Sequence, residues 1–317
     1  MKISLLEPIG VPASTIQELS NDLVKAGHEF TYYDNKTTDV EELKKRTAGQ
    51  DIVIIANNPY PAEVVNSTDT LKMISVAFTG IDHIGVKACK DKNIMICNAA
   101  GYSNQTVAEL AIGMAIAALR NLVEADRRVR NQETNTGIGG REIAGRTVGM
   151  VGLGKIGLTT AKLFMAFGAK VIAYNRSESE EARALGIEYK TLDEVLSTSD
   201  IISIHLPLTD NTRGIISADK ISLIKNSAVV INCARGPIID NAALAEALKA
   251  SRVGYACIDV FDMEPPIPED YPLLNCPNTF LAPHQGFISE ESMLRRAKIV
   301  FDNVYAFLDG KPINECK

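Results

Sequence analysis

Short apolar runs alternate with polar or amphipathic stretches along almost the whole chain. Over the first hundred residues the runs at 2–6, 29–33, 51–56, 73–77 and 94–97 predict strands. Between them, 14–26, 40–48 and 84–92 predict helices; in the first of these Ile16, Leu19, Leu23 and Val24 recur at helical spacing. Strand alternating with helix predicts a parallel sheet covered on both faces.

A turn-rich stretch, 98–105, follows and reads as an interdomain crossing. Thr106-Val107-Ala108-Glu109 then fits a capping box, with Thr106 as N-cap and Glu109 reaching back. A long helix to Arg130 is predicted from there, then a polar, glycine-rich loop over 131–140. From Arg146 a second series begins, with strands predicted at 170–174, 201–206, 228–232, 255–260 and 279–281 and helices at 179–184, 218–223 and 242–250. At its head an apolar run ends in Gly152-Leu153-Gly154-Lys155-Ile156-Gly157 and continues as a helix. In a Gly-x-Gly-x-x-Gly turn the first glycine permits the bend, the second admits a pyrophosphate and the third lets helix pack on strand. The helix start then offers N–H groups and a positive dipole end to the phosphates. The strand and helix flanking this motif raise it above an ordinary glycine-rich turn.

Composition narrows the partners. The 317 residues are 46% apolar and 23% charged, as in an ordinary globular protein of about two domains. A net charge of −6 without a long basic run argues against a nucleic-acid surface. No apolar stretch reaches the roughly 20 residues of a membrane span. The first residues carry charge too soon for a signal peptide. The six cysteines are scattered without a C-x-x-C pair, which favours free thiols in a reducing cytoplasm over zinc or disulfides.

In doubly wound sheets ligands lie beyond the carboxyl ends of the strands. An acidic residue about 20 positions past the glycines usually bonds the ribose of NAD. Here Asn175-Arg176-Ser177 stands instead. A guanidinium brackets a 2′-phosphate that a carboxylate would repel, so NADP(H) is favoured over NAD(H). The plainer reading makes Arg176 a solvated loop residue and Asn175 a hydroxyl ligand. His205 closes a strand before Leu206-Pro207 and reads as lining the cofactor, not as the acid. The three far strand ends deliver Arg235, Glu264 and His284. Each alone has a bland reading, as a salt-bridged arginine, a loop carboxylate and a core histidine. Together at the ligand edge they suit proton transfer beside a bound anion.

These motifs resemble the D-isomer-specific 2-hydroxyacid dehydrogenase family over nearly the whole chain. The match rests on Gly80-Ile81-Asp82-His83-Ile84, the stretch from Asn98 to Glu109, the glycine turn, His205-Leu206-Pro207-Leu208-Thr209, Asn232-Cys233-Ala234-Arg235-Gly236, Asp259-Val260-Phe261 with Glu264-Pro265, and Pro283-His284. The resemblance implies a Rossmann-type doubly wound parallel sheet, residues 99–287, inserted in a flavodoxin-like substrate domain of residues 1–98 and 288–317. It also implies a homodimer formed through the long helix. Arg235, Glu264 and His284 would be the catalytic set, acting on a small 2-oxo or 2-hydroxy acid. The backbone at Thr79 and Gly80, with Arg235 and His284, would hold the substrate. Cofactor contacts would fall to Thr106, Gly152, Gly154, Lys155, Ile156, Gly157, Asn175, Arg176, Ser177, His205, Pro207, Thr212, Cys233, Ala234, Asp259 and Gly286, with Asp259 on the nicotinamide carboxamide.

The Asn175-Arg176-Ser177 stretch is similar to the NADPH-using glyoxylate and hydroxypyruvate reductase branch. With no Trp, the chain does not match subtypes that place an indole beside the substrate, and an end at Lys317 leads to the expectation that no regulatory domain of the kind some phosphoglycerate dehydrogenases carry is present. Tyr60, Phe78 and Phe287 read equally as pocket walls or as packing. A dinucleotide-sensing, corepressor-like binding protein is the competing reading. Retention of all three catalytic residues argues for the enzyme.

Overall fold

A computed structural model describes residues 1–316, which divide into two compact units, Met1–Ser103 with residues 288–316 and Asn104–Phe287. The first crossing thus follows Ser103, five residues beyond the boundary expected from the sequence.

The first unit runs β1 (Lys2–Leu5), α1 (Ala13–Lys25), β2 (Glu29–Tyr32), α2 (Val40–Thr47), β3 (Ile52–Ile55), α3 (Ala62–Asn66), β4 (Met73–Val76), α4 (Val86–Asp91) and β5 (Met95–Asn98). All pairings are parallel, in the order β2-β1-β3-β4-β5, which is the flavodoxin-like order. Every residue of β3 and β4 is buried, as expected of strands covered on both faces. Glu7 pins the end of β1 to that of β3: its Oε1 accepts from the amides of Ala56 at 2.8 Å and Asn58 at 3.3 Å.

The second unit runs α5 (Asn104–Leu119), α6 (Leu122–Arg130), β6 (Thr147–Val151), α7 (Lys155–Ala166), β7 (Lys170–Tyr174), α8 (Glu180–Ala184), β8 (Glu188–Tyr189), α9 (Leu192–Thr198), β9 (Ile201–Ile204), α10 (Ala218–Ile221), β10 (Val229–Asn232), α11 (Asn241–Lys249), β11 (Tyr255–Ile258) and β12 (Thr279–Leu281). These strands form one sheet, β12-β11-β10-β9-β6-β7-β8, with parallel pairing throughout. Alternate residues feed two cores. Val230, Ile202 and Ile258 enter one with α9 and α11, while Val229, Ile231 and Cys257 enter the other with α5 and α7. The chain returns to the first unit as α12 (Glu290–Leu308), whose Met293, Ala297, Val300, Phe301 and Val304 are buried.

Two helical expectations are corrected. The long helix does not run unbroken to Arg130, because α5 and α6 bend by 60° at a break between them. Asn121 sits there in the left-handed region at φ 51°, a conformation that asparagine tolerates. The loop behind it takes up the groups the break frees: Arg141 N donates to Leu119 O at 2.8 Å, and Asn121 Nδ2 to Gly139 O at 2.6 Å. Nor is Thr106 the N-cap of α5. The helix begins at Asn104, so Thr106 lies within its first turn, and the Glu109 carboxylate accepts from Gln105 Nε2 at 2.7 Å. Among the described residues no single helix is long and apolar enough to cross a membrane.

Candidate active site

The glycine turn joins β6 to α7 with two glycines that the chain itself demands and one that it does not. Gly152 has φ 98°, and a Cβ there would lie 2.7 Å from the His205 carbonyl carbon. A Cβ on Gly157 would lie 2.4 Å from Gly152 O. A Cβ on Gly154 would meet nothing within 4 Å, so open space faces the start of α7. The first turn of that helix, Lys155 and Ile156 included, carries no acidic residue. Open space and a first helical turn free of acidic residues fit a dinucleotide pyrophosphate.

Asn175 is engaged within the protein. Its Oδ1 accepts from Leu153 N at 3.2 Å and its Nδ2 donates to Ser177 O at 2.6 Å, so it ties the glycine turn to the end of β7. Arg176 and Ser177 stand exposed beside it, and Arg176 makes no ion pair among the described residues. After β9, His205 Nε2 lies 2.8 Å from Ser203 Oγ, and burial lowers its pKa to about 4. The ring is therefore neutral at physiological pH, consistent with a lining role and unsuited to acid catalysis. Thr212 folds the next loop, donating from Oγ1 to Pro207 O at 2.6 Å and accepting from Thr209 N at 2.8 Å. Burial pushes the Cys233 thiol well above its ordinary pKa, so it stays protonated beside Met114. The described residues include no cluster of potential metal ligands, and no cysteine among them is paired.

Arg235, Glu264 and His284 follow three adjacent strands, β10, β11 and β12, and lie in one unit. Fully buried Asn232 shapes the first of these ends: its Oδ1 accepts from Ala234 N at 3.0 Å and its Nδ2 donates to Arg235 O at 3.0 Å. The guanidinium Nη1 of Arg235 donates to Ala234 O at 2.9 Å. Asn241 links this loop to the next, donating to Gly236 O at 3.2 Å and to Asp262 Oδ1 at 3.0 Å, while Tyr271 OH donates to Asp262 Oδ2 at 2.8 Å. None of Asn232, Asn241, Asp262 and Tyr271 was singled out as a site residue from the sequence. The only available signal was that an asparagine closing an apolar strand has to find partners for its side chain.

His284 Nδ1 lies 2.8 and 2.9 Å from the two oxygens of Glu264. The histidine side chain is 11% exposed and the glutamate 65%, so the pair spans from protein to solvent. An ionised carboxylate only accepts, so the Glu264 partner places a proton on Nδ1 and leaves Nε2 as the atom for proton transfer. His284 has φ 55°, a left-handed conformation that costs a histidine less than most residues. It is held there by its own N–H, which donates to Asp259 O at 2.9 Å and to Ala282 O at 3.1 Å. Phe287 packs edge-on to the imidazole at 5.2 Å, so it steadies the ring. Tyr60 is packing: it is buried, with its hydroxyl 3.0 Å from Thr47 Oγ1. Phe78 is buried against Tyr102 and His83.

Asp259 is the buried anchor of this loop. Its two carboxylate oxygens accept from Gln285 N and Gly286 N, each at 2.8 Å. Burial raises its pKa, opposed by those two amides and by His284. A Cβ on Gly286 would stand 2.7 Å from Asp259 Oδ2. Gly286→Ala must therefore displace the loop that carries His284. Because a shift of about 1 Å can cost 10²-fold in rate, kcat/KM is expected to fall at least tenfold in a folded variant, as measured by steady-state kinetics beside circular dichroism.

A Rossmann-ordered sheet with open space at its glycine turn and a carboxylate-backed histidine at its far edge defines a pyridine-nucleotide-dependent dehydrogenase. Residues 112–286 match the family model described as D-isomer specific 2-hydroxyacid dehydrogenase, NAD binding domain. The chain belongs to that family and is an oxidoreductase of its class. It is 35% identical over 283 residues to a glyoxylate reductase of Korarchaeum cryptofilum, covering 87% of this chain and 84% of that one. It is 36% identical over 275 residues to a D-3-phosphoglycerate dehydrogenase of Methanocaldococcus jannaschii, covering 86% of this chain but only 52% of that protein; the chain therefore spans about half the length of that relative. A solved structure of an acyclic imino acid reductase in complex with NADPH and D-Arg is similar with a TM-score of 0.90 and 30% identity, over 100% of both chains.

Proposed function

We propose that the protein reduces a small 2-oxo acid to the D-2-hydroxy acid and that it prefers NADPH to NADH. The observation that carries this reading is the His284–Glu264 pair at 2.8 Å, fixed by Asp259 at the edge of a dinucleotide sheet. The glycine turn and the start of α7 would hold the pyrophosphate, and Arg176 the 2′-phosphate. When bound, the reduced dinucleotide supplies the hydride. Arg235 binds the substrate carboxylate and polarises the carbonyl with its planar fork, and the backbone at Thr79 and Gly80 shares the carboxylate. His284 Nε2 gives its proton to the developing alkoxide while Nδ1–H stays on Glu264, which stabilises the imidazolium before transfer. In the oxidative direction the neutral ring takes that proton back. The proposal includes a cytoplasmic homodimer. Leu122, Val123 and Val129 of α6, exposed by 48%, 48% and 74%, support an apolar contact there.

The test is a panel of glyoxylate, hydroxypyruvate, pyruvate and phenylpyruvate with NADH and with NADPH. Turnover that is faster with NADPH is expected. Higher kcat/KM with NADH for every acid would overturn the reading of Arg176. Tight dinucleotide binding without turnover of any acid would favour the dinucleotide-sensing protein. Arg176→Ala is expected to raise the KM for NADPH at least tenfold while that for NADH stays within threefold, since only the former loses a charge-assisted partner.

The likeness to the imino acid reductase favours a second reading, reduction of a C=N bond formed from a 2-oxo acid and an amine. A protonated imine already carries its proton, so this reaction depends less on His284. Turnover that requires added ammonium or amine, and that survives His284→Ala, would establish it.

A further inference from the structure

The loop after β4 carries two amides that the proposed function assigns to the substrate carboxylate, and the structure shows what aims them. Phe78 O accepts from Ala99 N at 3.0 Å. Thr79 O accepts from Asn98 Nδ2 at 2.8 Å. Two successive carbonyls are thus drawn toward the single stretch 98–99. In a planar trans peptide the N–H points opposite to the C=O. Holding Phe78 O therefore aims the Thr79 N–H, and holding Thr79 O aims the Gly80 N–H, both away from residues 98–99. Among the described residues neither amide donates to a protein acceptor. Successive N–H groups turned to one side make an anion-binding concavity.

Asn98 is itself held at every polar group. Its Oδ1 accepts from Ala100 N at 3.2 Å, its N donates to Asn314 O at 3.1 Å, and its O accepts from Asn303 Nδ2 at 3.0 Å. Asn303, on α12, is fully buried, and its Oδ1 accepts from Asn314 Nδ2 at 2.8 Å. A chain of three asparagines thus runs from the segment after α12 to the Thr79 carbonyl.

We propose that Asn98, backed by Asn303 and Asn314, is a positioning residue that presets the Thr79 and Gly80 amides to receive a carboxylate. This rests on the reading of those amides as the carboxylate-holding backbone. Asn98 touches neither substrate nor cofactor in this role. Its amide group fixes a peptide plane, and that plane carries the donor. Freed from Asn98, the Thr79–Gly80 peptide can rotate, and binding must then order it.

The experiment compares the full chain with its Asn98→Ala and Asn314→Ala variants in two measurements. The first is steady-state kinetics on the best 2-oxo acid of the panel. Asn98→Ala is expected to raise the substrate KM, and the Ki of the unreactive isostere oxamate, at least tenfold, with kcat changed less than threefold and the Kd for NADPH unchanged. Asn314→Ala, one link further away and outside the core helix, is expected to raise KM threefold to fivefold. The second is a titration of ¹⁵N-labelled protein with oxamate, reading the Thr79 and Gly80 amide resonances. Both are expected to move downfield in the parent and to lose most of that shift in Asn98→Ala. An unchanged Ki, equal loss of substrate and dinucleotide binding, or parent amides that ignore oxamate would overturn the proposal. An unchanged KM in Asn314→Ala would overturn the part given to the chain end. If the parent reduces no 2-oxo acid, the proposed function falls, and the amide titration still decides the role of Asn98.

Discussion

Replacing His284 by alanine is expected to lower kcat/KM for a 2-oxo acid by about 10³-fold, within the 10²–10⁴ that a positioned acid contributes. The Kd for the dinucleotide should stay within about twofold, because the glycine turn and Asn175 lie on the far side of the sheet order from β12. The loss should fall on kcat more than on KM, since proton delivery belongs to the transition state. Stopped-flow single turnovers with fluorescence titration of the dinucleotide separate these quantities. Equal loss of binding and turnover in a folded protein would remove His284 from the role of acid. The carboxylate behind the ring, at 2.8 Å, gives the variant a further use. With the imidazole gone, a space the size of the ring opens beside Glu264, and added imidazole is expected to restore part of the rate.

Replacing Arg235 by lysine is expected to cost about 10²-fold in kcat/KM. The change keeps a positive charge, so a purely electrostatic role would predict a small effect. A bidentate role predicts a large one, because an ammonium cannot present two parallel N–H groups to a carboxylate. The local structure sharpens the contrast. Asn232 fixes the backbone of this residue through the Arg235 carbonyl, so the loop should keep its course whichever side chain it carries. Near-normal kcat/KM for the lysine variant would show that the fork is not used.

Much of the architecture was legible because strands covered on both faces are written as unbroken apolar runs. The runs over β3, β4, β7 and β12 match the strands to within a residue or two, and the order of strands and helices is enough for the fold class. Boundaries slipped where an apolar residue continues past the last ladder bond, as Leu206 and Val260 do. The missed helices had signals in plain view. α9 begins with a full capping box, Thr191 with Glu194, and α12 with one formed by Ser289 and Ser292. The same local pattern at Thr106 predicts a cap that is not used, because the helix begins at Asn104. Such a signature is short and degenerate, and packing decides which copy is used. The three catalytic candidates were legible through the rule that ligands gather at strand ends. The residues that hold them were not. Asn232 bonds backbone groups two and three residues further on in an irregular loop, while Asn241 and Asp262 join each other's loops through their side chains, and no periodicity announces such bonds.

The strand order β12-β11-β10-β9-β6-β7-β8 places the end of β7, with Arg176, five strands from the end of β12, with His284. At about 4.8 Å per strand that is a separation of roughly 24 Å. Free-energy effects at sites more than about 10 Å apart usually add. On the roles proposed for Arg176 and His284, the choice of coenzyme and the chemistry performed with it are therefore close to independent variables. A lineage built on this sheet can exchange one coenzyme for the other by changes after β7 without re-optimising the acid, and can take up a new substrate at β10 to β12 without relearning its coenzyme. This separability offers a physical reason why reductases of differing substrate and coenzyme can share a single scaffold.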